Sequence, residues 1–235
     1  MFYTSLTVQQ RFDFACADLD RWRHALHPLA TTVAPLRRRS PIGALVKSLI
    51  SGRTLDAVSL RAYHRLCRRF PAPALLARAT PKAIARAIAD VTFPEAKAEW
   101  LAASMRQIAH ERSDFNLDFL AEMPIHAALA WLERLPGVAR KVAASTLNGS
   151  RLNRPIFIVD THVLRVLLRL GFVGPHEDMQ AASEQVTAGA PSWSGDDFLL
   201  FHVGAKRVGQ LFCRPDVTHC ATCPLAFDCP STAPA

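Results

Sequence analysis

The sequence predicts an all-α protein. Apolar residues recur at helical spacing through most of the chain. Ser, Thr or Asp stands at the start of several of these patterns, where the first turn of a helix needs a side-chain cap. Only one short run has the composition of a β-strand, and it has no partner with which to form a sheet. These three observations together favour a fold built from packed helices.

Six apolar stripes mark the predicted helices. Their members are Leu45, Leu49 and Ile50; Val58, Ala62, Leu66 and Phe70; Ile84, Ile88 and Val91; Leu101, Met105 and Ile108; Ala128, Leu129, Leu132 and Leu135; and Val163, Val166, Leu167 and Leu170. Thr80, which precedes a proline, and Asp160 are predicted N-caps. Gly171 is predicted to end the helix that Asp160 begins. Ser194 with Asp197 three positions later is typical of a capping box.

Two stretches do not follow a helical pattern. The Ile-Phe-Ile-Val run at 156–159 predicts a buried extended connector. Residues 28–41 contain three prolines and predict an irregular segment. The three consecutive arginines at 37–39 are more typical of a solvated linker than of a DNA contact, although both interpretations remain open.

Composition favours a globular protein with a polyanionic partner. Half of the 235 residues are hydrophobic, and the formal net charge is +8. Such an excess suits nucleic acid, because cations that neutralise phosphates release condensed counterions; on charge alone an ordinary basic enzyme fits equally well. The first residues do not resemble a secretory signal, and no apolar run reaches the roughly 18 residues of a membrane span. We therefore expect a cytoplasmic protein, associated with the nucleoid in a bacterium.

The segment Leu-Pro-Gly-Val-Ala-Arg-Lys at 135–141 lies between two helical patterns. A glycine-bearing turn that leads into a helix N-terminus exposes unpaired backbone N–H groups, and these can bind phosphate without reading sequence. The same turn could also be a purely structural helix connection.

Lys141 and Asp160, 19 positions apart, are candidate catalytic residues. An unprotonated lysine amine can attack a sugar carbon and form an imine, and a helix N-terminus together with desolvation would lower its pKa towards that state. A carboxylate near the sugar stabilises the positive charge that develops when a glycosidic bond breaks. Each residue alone also fits a bland interpretation, a solvated lysine and a helix cap.

Four of the six cysteines crowd near the end of the chain, namely Cys213, Cys220, Cys223 and Cys229. In a reducing compartment such a cluster predicts a metal site rather than disulfides. A single Cys-x2-Cys flanked by two spaced cysteines favours an iron–sulfur cubane over zinc, for which paired Cys-x2-Cys knuckles are more typical.

These three elements, in this order, resemble the endonuclease III family of helix-hairpin-helix DNA glycosylases. The resemblance extends from about Pro41 to Cys229. It implies that Lys141 and Asp160 are catalytic and that the four cysteines hold a [4Fe-4S] cluster. It also implies two helical lobes flanking a DNA-binding cleft: a six-helix domain with the helix-hairpin-helix at 38–154, and an iron–sulfur cluster domain formed by 1–37 plus 155–235.

The resemblance also suggests which residues contact DNA. Gly137, Ala139 and Arg140 in the hairpin segment and His162 after the aspartate match DNA-contacting positions. Arg53 stands where the family usually has a glutamine that enters the gap left by the flipped nucleotide, and Phe93 stands where a leucine wedge is common. Ala139 replaces the second hairpin glycine, so the backbone is expected to approach phosphate less closely. Between Cys213 and Cys220, the family's basic loop is reduced to Arg214 and His219 against Asp216.

The expected function is that of a bifunctional DNA glycosylase and AP lyase of base excision repair. Its expected substrate is double-stranded DNA with damaged bases, of which oxidised pyrimidines are the family's usual range, or with abasic sites, and we expect it to act as a monomer. Two alternatives remain: a monofunctional mismatch or adenine glycosylase, whose relatives generally lack a lysine at the position of Lys141, and a non-catalytic iron–sulfur DNA-binding protein, which would need neither Lys141 nor Asp160. A zinc-dependent binding module fits less well.

Overall fold

The structure is a computed structural model that describes residues 8–32 and 38–232, with side chains from residue 17 onwards. In this part of the chain eleven α-helices and three short 3-10 helices account for the regular structure, and no strand is present. The all-α prediction is therefore confirmed for the described residues. The α-helices are α1 (Val8–Thr31), α2 (Pro41–Ser51), α3 (Asp56–Arg69), α4 (Pro73–Arg78), α5 (Pro81–Ala87), α6 (Pro94–Glu111), α7 (Ile125–Glu133), α8 (Arg140–Asn148), α9 (Thr161–Arg169), α10 (Met179–Gly189) and α11 (Gly195–Leu211).

The chain divides into two units. One consists of Arg38–Arg154, and the other joins Met1–Arg37 to Pro155–Ala235. We call them the central unit and the terminal unit.

The central unit holds seven α-helices, α2 to α8, where the resemblance implied six. One helix for which the sequence showed no apolar stripe is α4. It has only six residues and starts at Pro73, directly after the break around Pro71. So short a helix presents less than two turns, and no apolar stripe can reveal it in the sequence. Four of the seven helices begin with proline, which lacks the N–H that the first helical turn leaves unpaired.

The terminal unit is built around helices α1, α9, α10 and α11. Its core joins apolar side chains of α1 and α11 to the connector 156–159, and Phe157 is fully buried there against Phe198 and Phe201. The connector is extended and buried, as predicted, and forms no strand.

One expectation about the chain near the boundary of the units was wrong. Residues 28–31 are not irregular, because α1 continues through Pro28 to Thr31. Proline removes a single backbone donor, and burial of Leu26 and Ala30 in the core holds this end of the helix in place. Of the arginine run, Arg37 lies outside the described residues, whereas Arg38 donates to the backbone carbonyl of Ser150 at 3.1 Å.

The predicted helix caps are confirmed. The Thr80 side chain accepts from the Ala83 amide, and Ser194 with Asp197 forms a reciprocal capping box. Gly171 adopts a φ of +71° directly after α9, a conformation that favours glycine and ends the helix. No helix of the described residues is both long and apolar enough to cross a membrane.

Candidate functional site

A tight turn joins α7 to α8 in the central unit. The Val138 amide donates to the Leu135 carbonyl at 3.0 Å, which closes a four-residue turn with Pro136 and Gly137 at its centre. Gly137 has a φ of +76°, as the third position of a type II turn requires. Leu135 and Val138 are buried and anchor the two ends of the turn. The sequence Leu-Pro-Gly-Val therefore determines the hairpin locally.

Helix α6 packs against this turn. The hydroxyl of the buried Ser104 donates to the Pro136 carbonyl at 2.7 Å. A Cβ atom on Gly137 would lie 2.7 Å from Cβ and Cγ of Trp100, so the turn backbone rests directly on this indole side chain. Gly137 is thus required both by its conformation and by the close approach of Trp100.

The N-terminus of α8 has no side-chain cap. Ala139, the N-cap residue, has an extended backbone and makes no side-chain cap hydrogen bond. Arg140, the first helical residue, pairs with Glu133 at 2.6 Å, and only 12% of its side chain is exposed. The sequence prediction of a helix N-terminus suited to an anion agrees with this local geometry, while the Arg140 guanidinium already has a carboxylate partner.

Lys141 occupies the second position of α8. Its Nζ atom donates to Ser51 Oγ at 3.1 Å and to Ser48 Oγ at 3.2 Å, both at the end of α2. Two neutral hydroxyl acceptors orient the amine without giving it a carboxylate at these contacts. The side chain is thereby held in place by a helix 90 residues away in sequence.

Arg53 and Phe93 lie on two loops of the same unit that are bonded to each other. Both adopt left-handed backbone conformations, with φ of 54° and 56°, and both side chains are exposed. The Thr92 hydroxyl donates to the Arg53 carbonyl at 2.8 Å, and the Thr92 amide donates to Thr54 Oγ1 at 3.0 Å. The structure thus brings together the two residues for which gap filling was expected.

A buried lysine that the sequence analysis did not single out lies beneath these loops. Lys97 is 4% exposed, and its Nζ donates to the Gly52 carbonyl at 2.6 Å and to Thr54 Oγ1 at 3.0 Å. Burial, together with repulsion from Lys141, lowers the pKa of Lys97 to about 8. The sequence gives no local signal for this role, since Lys97 lies between Glu95 and Glu99 and resembles an ordinary exposed lysine.

Asp160 lies in the terminal unit at the start of α9. Its Oδ1 atom accepts from the amides of His162 at 2.9 Å and Val163 at 3.0 Å, which confirms it as the N-cap. Its Oδ2 atom faces Lys206 Nζ at 3.9 Å, and 16% of its side chain is exposed. One oxygen therefore serves the fold, while the other faces a cation.

The surroundings of Asp160 favour its ionised form. Burial acts to raise the pKa of this carboxyl, but electrostatic interactions with His202, Lys206 and His162 and the hydrogen bond from the Val163 amide outweigh it. The pKa of Asp160 is lowered as a result. His162 also places its Nδ1 atom 3.3 Å from a guanidinium nitrogen of Arg165. Lys206 and His202, on α11, were missed by sequence reasoning because they lie more than 40 residues from Asp160.

The four clustered cysteines line one cavity of about 270 Å³ in the terminal unit. Three of them, Cys213, Cys223 and Cys229, also pack against the hydrophobic core. Burial raises the pKa of the Cys223 thiol, as does repulsion from the other three sulfurs. Arg169 donates to Cys213 Sγ at 3.2 Å. Among the described residues, no group of three or more His, Cys, Asp or Glu side chains is placed to hold a metal ion.

In the described residues, a hairpin between two helices leads into a helix N-terminus without a side-chain cap, which is typical of proteins that bind the nucleic-acid backbone. Residues 46–190 match the HhH-GPD superfamily of base excision DNA repair proteins. The chain belongs to this superfamily.

Individual relatives are similar to the chain over most of its length. It is 29% identical to the chloroplastic endonuclease III homolog 2 of Arabidopsis thaliana over 201 residues, which are 80% of this chain and 47% of that protein, so the chain spans about half the length of this relative. It is 26% identical to endonuclease III of Thermotoga maritima, over 82% of this chain and 84% of that one.

Among solved structures, the fold is similar to that of a trapped endonuclease III–DNA covalent intermediate in an estranged-adenine complex. The TM-score is 0.72 at 21% identity, and the match covers 91% of this chain and 96% of the other. The resemblance to endonuclease III that the three sequence elements indicated is confirmed.

Proposed function

We propose that this chain is a bifunctional DNA glycosylase and AP lyase of base excision repair, with Lys141 as nucleophile. The observation that carries the proposal is the position of Lys141: it directly follows the hairpin on an uncapped helix, and two serine hydroxyls orient its amine. A phosphate bound at the N-terminus of α8 would bring a neighbouring sugar close to this amine.

The reaction assigned to Lys141 consists of a nucleophilic displacement at C1′ and a later β-elimination, joined by an imine. The amine nitrogen forms a bond to C1′ of the flipped nucleotide, and the bond from C1′ to the base breaks, with its electron pair leaving on the base. The attached nitrogen gives a proton to the departing base. Its lone pair then breaks the bond from C1′ to the ring oxygen, which takes a proton from water, and a protonated Schiff base results. Removal of a C2′ proton then expels the 3′ phosphate, and water releases the unsaturated aldehyde and the free lysine.

We assign to Asp160 the stabilisation of the sugar cation that forms as the base departs. Its lowered pKa keeps the carboxylate charged at neutral pH. At a separation of about 4 Å and an effective dielectric constant near 20, a carboxylate attracts such a charge by roughly 4 kcal/mol. His162, in the first turn of the same helix, is proposed as a DNA contact beside it.

We assign DNA binding mainly to backbone groups of the hairpin. Gly137 and Ala139 present amides without a bulky side chain, which suits phosphate binding that is independent of sequence. Arg140 is assigned a supporting role, since its guanidinium is paired with Glu133. Arg53 and Phe93 are proposed to fill the gap left by the flipped nucleotide, because unstacking costs a few kcal/mol that inserted side chains partly restore.

We further propose that the terminal unit carries a [4Fe-4S] cluster on Cys213, Cys220, Cys223 and Cys229. In a cubane each thiolate binds a different iron, so the ligands surround a cavity, and all four cysteines line one. Iron would offset the mutual repulsion of the sulfurs that acts on Cys223. When bound, the cluster supplies the cross-link that holds this loop to the core.

Borohydride trapping on an abasic duplex tests the proposal, since it reduces the imine to a stable protein–DNA adduct. The wild type should form the adduct, and Lys141→Gln should not, whereas Lys82→Gln, at an exposed lysine of α5, should trap normally. Base release without trapping in the wild type would instead favour a monofunctional glycosylase. Undiminished trapping by Lys141→Gln would mean that another amine is the nucleophile.

A further inference from the structure

We propose that Lys97 is a positioning residue whose ammonium group ties together the two loops that display Arg53 and Phe93. The proposal rests on the function proposed above for these two side chains, and it assigns a role to a residue that lies behind them. Three observations in the central unit carry it.

The first observation is the burial of a cation whose side-chain hydrogen bonds go to another segment of the chain. Lys97 is 4% exposed, on the first turns of α6. Burying an ammonium group is costly unless its donors are satisfied. Its hydrogen bonds run to Gly52 and Thr54, more than 40 residues earlier in the chain. The buried ammonium group is therefore satisfied by the loop at residues 52–54.

The second observation is that this loop is bonded to the loop of Phe93 at two points. Thr54 Oγ1 accepts from both Lys97 Nζ and the Thr92 amide, each at 3.0 Å. The Thr92 hydroxyl donates to the Arg53 carbonyl at 2.8 Å. Lys97 therefore holds both loops. Its Nζ atom bonds to Thr54, and its backbone amide donates to the Phe93 carbonyl in the first turn of α6.

The third observation is the strained backbone of the two displayed residues. Arg53 and Phe93 are both non-glycine residues with φ near +55°, at 54° and 56°. Such conformations persist only when surrounding contacts over-determine them. The Lys97 and Thr92 hydrogen bonds flank both positions, so they supply that constraint and fix the two exposed side chains as a pair.

The same lysine is also connected to the candidate nucleophile. Lys141 donates to Ser51, and Lys97 donates to the next residue, Gly52. Two lysines thus bond to adjacent residues at the end of α2. Lys141, which follows the hairpin, bonds to Ser51, and Lys97 bonds to Gly52, which precedes Arg53. The end of α2 therefore connects the residue proposed to fill the gap with the candidate nucleophile.

The test compares Lys97→Met, which keeps the side-chain length and removes the donors, with Lys82→Met, which removes an exposed lysine of α5. The readout is the affinity for a duplex with a stable tetrahydrofuran abasic site divided by the affinity for the intact duplex. Lys97→Met should lower this ratio roughly tenfold, as expected for the loss of one or two hydrogen bonds. Lys82→Met should weaken both duplexes alike and leave the ratio unchanged.

A mutant cycle tests whether Lys97 acts through the paired side chains. In an Arg53→Ala, Phe93→Ala background, Lys97→Met should have no further effect on the affinity ratio. Thr54→Val, which removes the shared acceptor, should reproduce the effect of Lys97→Met in the wild-type background. An equal loss in both backgrounds would overturn the proposal, because Lys97 would then act through another group.

Amide hydrogen exchange supplies a readout that does not depend on DNA. Lys97→Met should accelerate exchange at residues 52–54 and at the Thr92 amide, whereas Lys82→Met should not. Unchanged exchange in both loops would overturn the positioning role. Faster exchange in a protein whose wild type neither prefers abasic DNA nor forms a trapped adduct would refute the proposed function and leave the role of Lys97 in the loops standing.

Discussion

Lys206 places its Nζ atom 3.9 Å from Oδ2 of Asp160, while Oδ1 of the same carboxylate caps helix α9. The two oxygens have different partners: Oδ1 fixes the side chain to the backbone amides, and Oδ2 faces a cation, and both sets of partners favour the negative charge that the oxygens share. Together these partners lower the pKa of Asp160 and keep the carboxyl ionised in a largely buried position.

Replacing Asp160 by Asn should separate helix capping from charge. Asn caps helices about as well as Asp, so the variant should fold and bind DNA. It lacks the negative charge, and base release under single-turnover conditions should fall by orders of magnitude.

Asp178→Asn is the matched control for this prediction. Asp178 caps α10 through the amides of Gln180 and Ala181, at the same distance of 2.9 Å for both. This variant should release base at the wild-type rate. Near-normal base release by Asp160→Asn would contradict the role assigned to the carboxylate.

Lys206→Met should change the pH dependence of base release. The positive charge of Lys206 contributes to the lowered pKa of Asp160, so removing it should raise that pKa towards its ordinary value. Because the carboxylate must be ionised, the acidic limb of the pH–rate profile should move to higher pH, with little change at neutral pH. Lys206→Arg keeps the charge and should leave the limb in place. A limb that stays fixed in Lys206→Met would show that His202 and His162 suffice.

Gly137→Ala should destabilise the hairpin. The new Cβ would lie 2.7 Å from Trp100, and the φ of +76° disfavours any residue with a side chain. We expect a loss of about 1–3 kcal/mol in the free energy of unfolding, measured by urea denaturation. Gly52→Ala is the control, since no atom lies within 4 Å of its Cβ position. Adding Trp100→Ala should recover only part of the loss, because it removes the close contacts with the indole ring but keeps Cβ of residue 100 at 2.7 Å and leaves the backbone strain.

Cys220→Ser should remove iron and stability together. Cluster binding energy is part of the folding energy of a unit that the cluster cross-links. The wild type should contain about four irons per chain by metal analysis. The variant should lose them and show a lowered thermal midpoint. Cys67→Ser, at an exposed cysteine of the central unit, should keep both iron and stability. A wild type with stoichiometric zinc instead of iron would contradict the assignment.

Local sequence signals predicted the helix boundaries that depend on a few neighbouring residues. Asp160, Thr80 and Ser194 were identified as caps because a capping side chain bonds to amides only two or three positions ahead. Local signals were misleading where distant packing outweighs them. Pro28 suggested an irregular segment, yet α1 continues past it because the same turns are buried in the core.

By itself, the sequence determined the helical class, the Pro-Gly turn ahead of Lys141 and the cysteine-rich loop, because each depends on residues close together in the chain. Only the tertiary structure revealed that Ser48 and Ser51 orient Lys141 and that Lys97 anchors the Arg53 loop. Those contacts join residues 45 to 93 positions apart. No local pattern encodes such a pairing, since the distance between two side chains on different helices is set by how the helices pack.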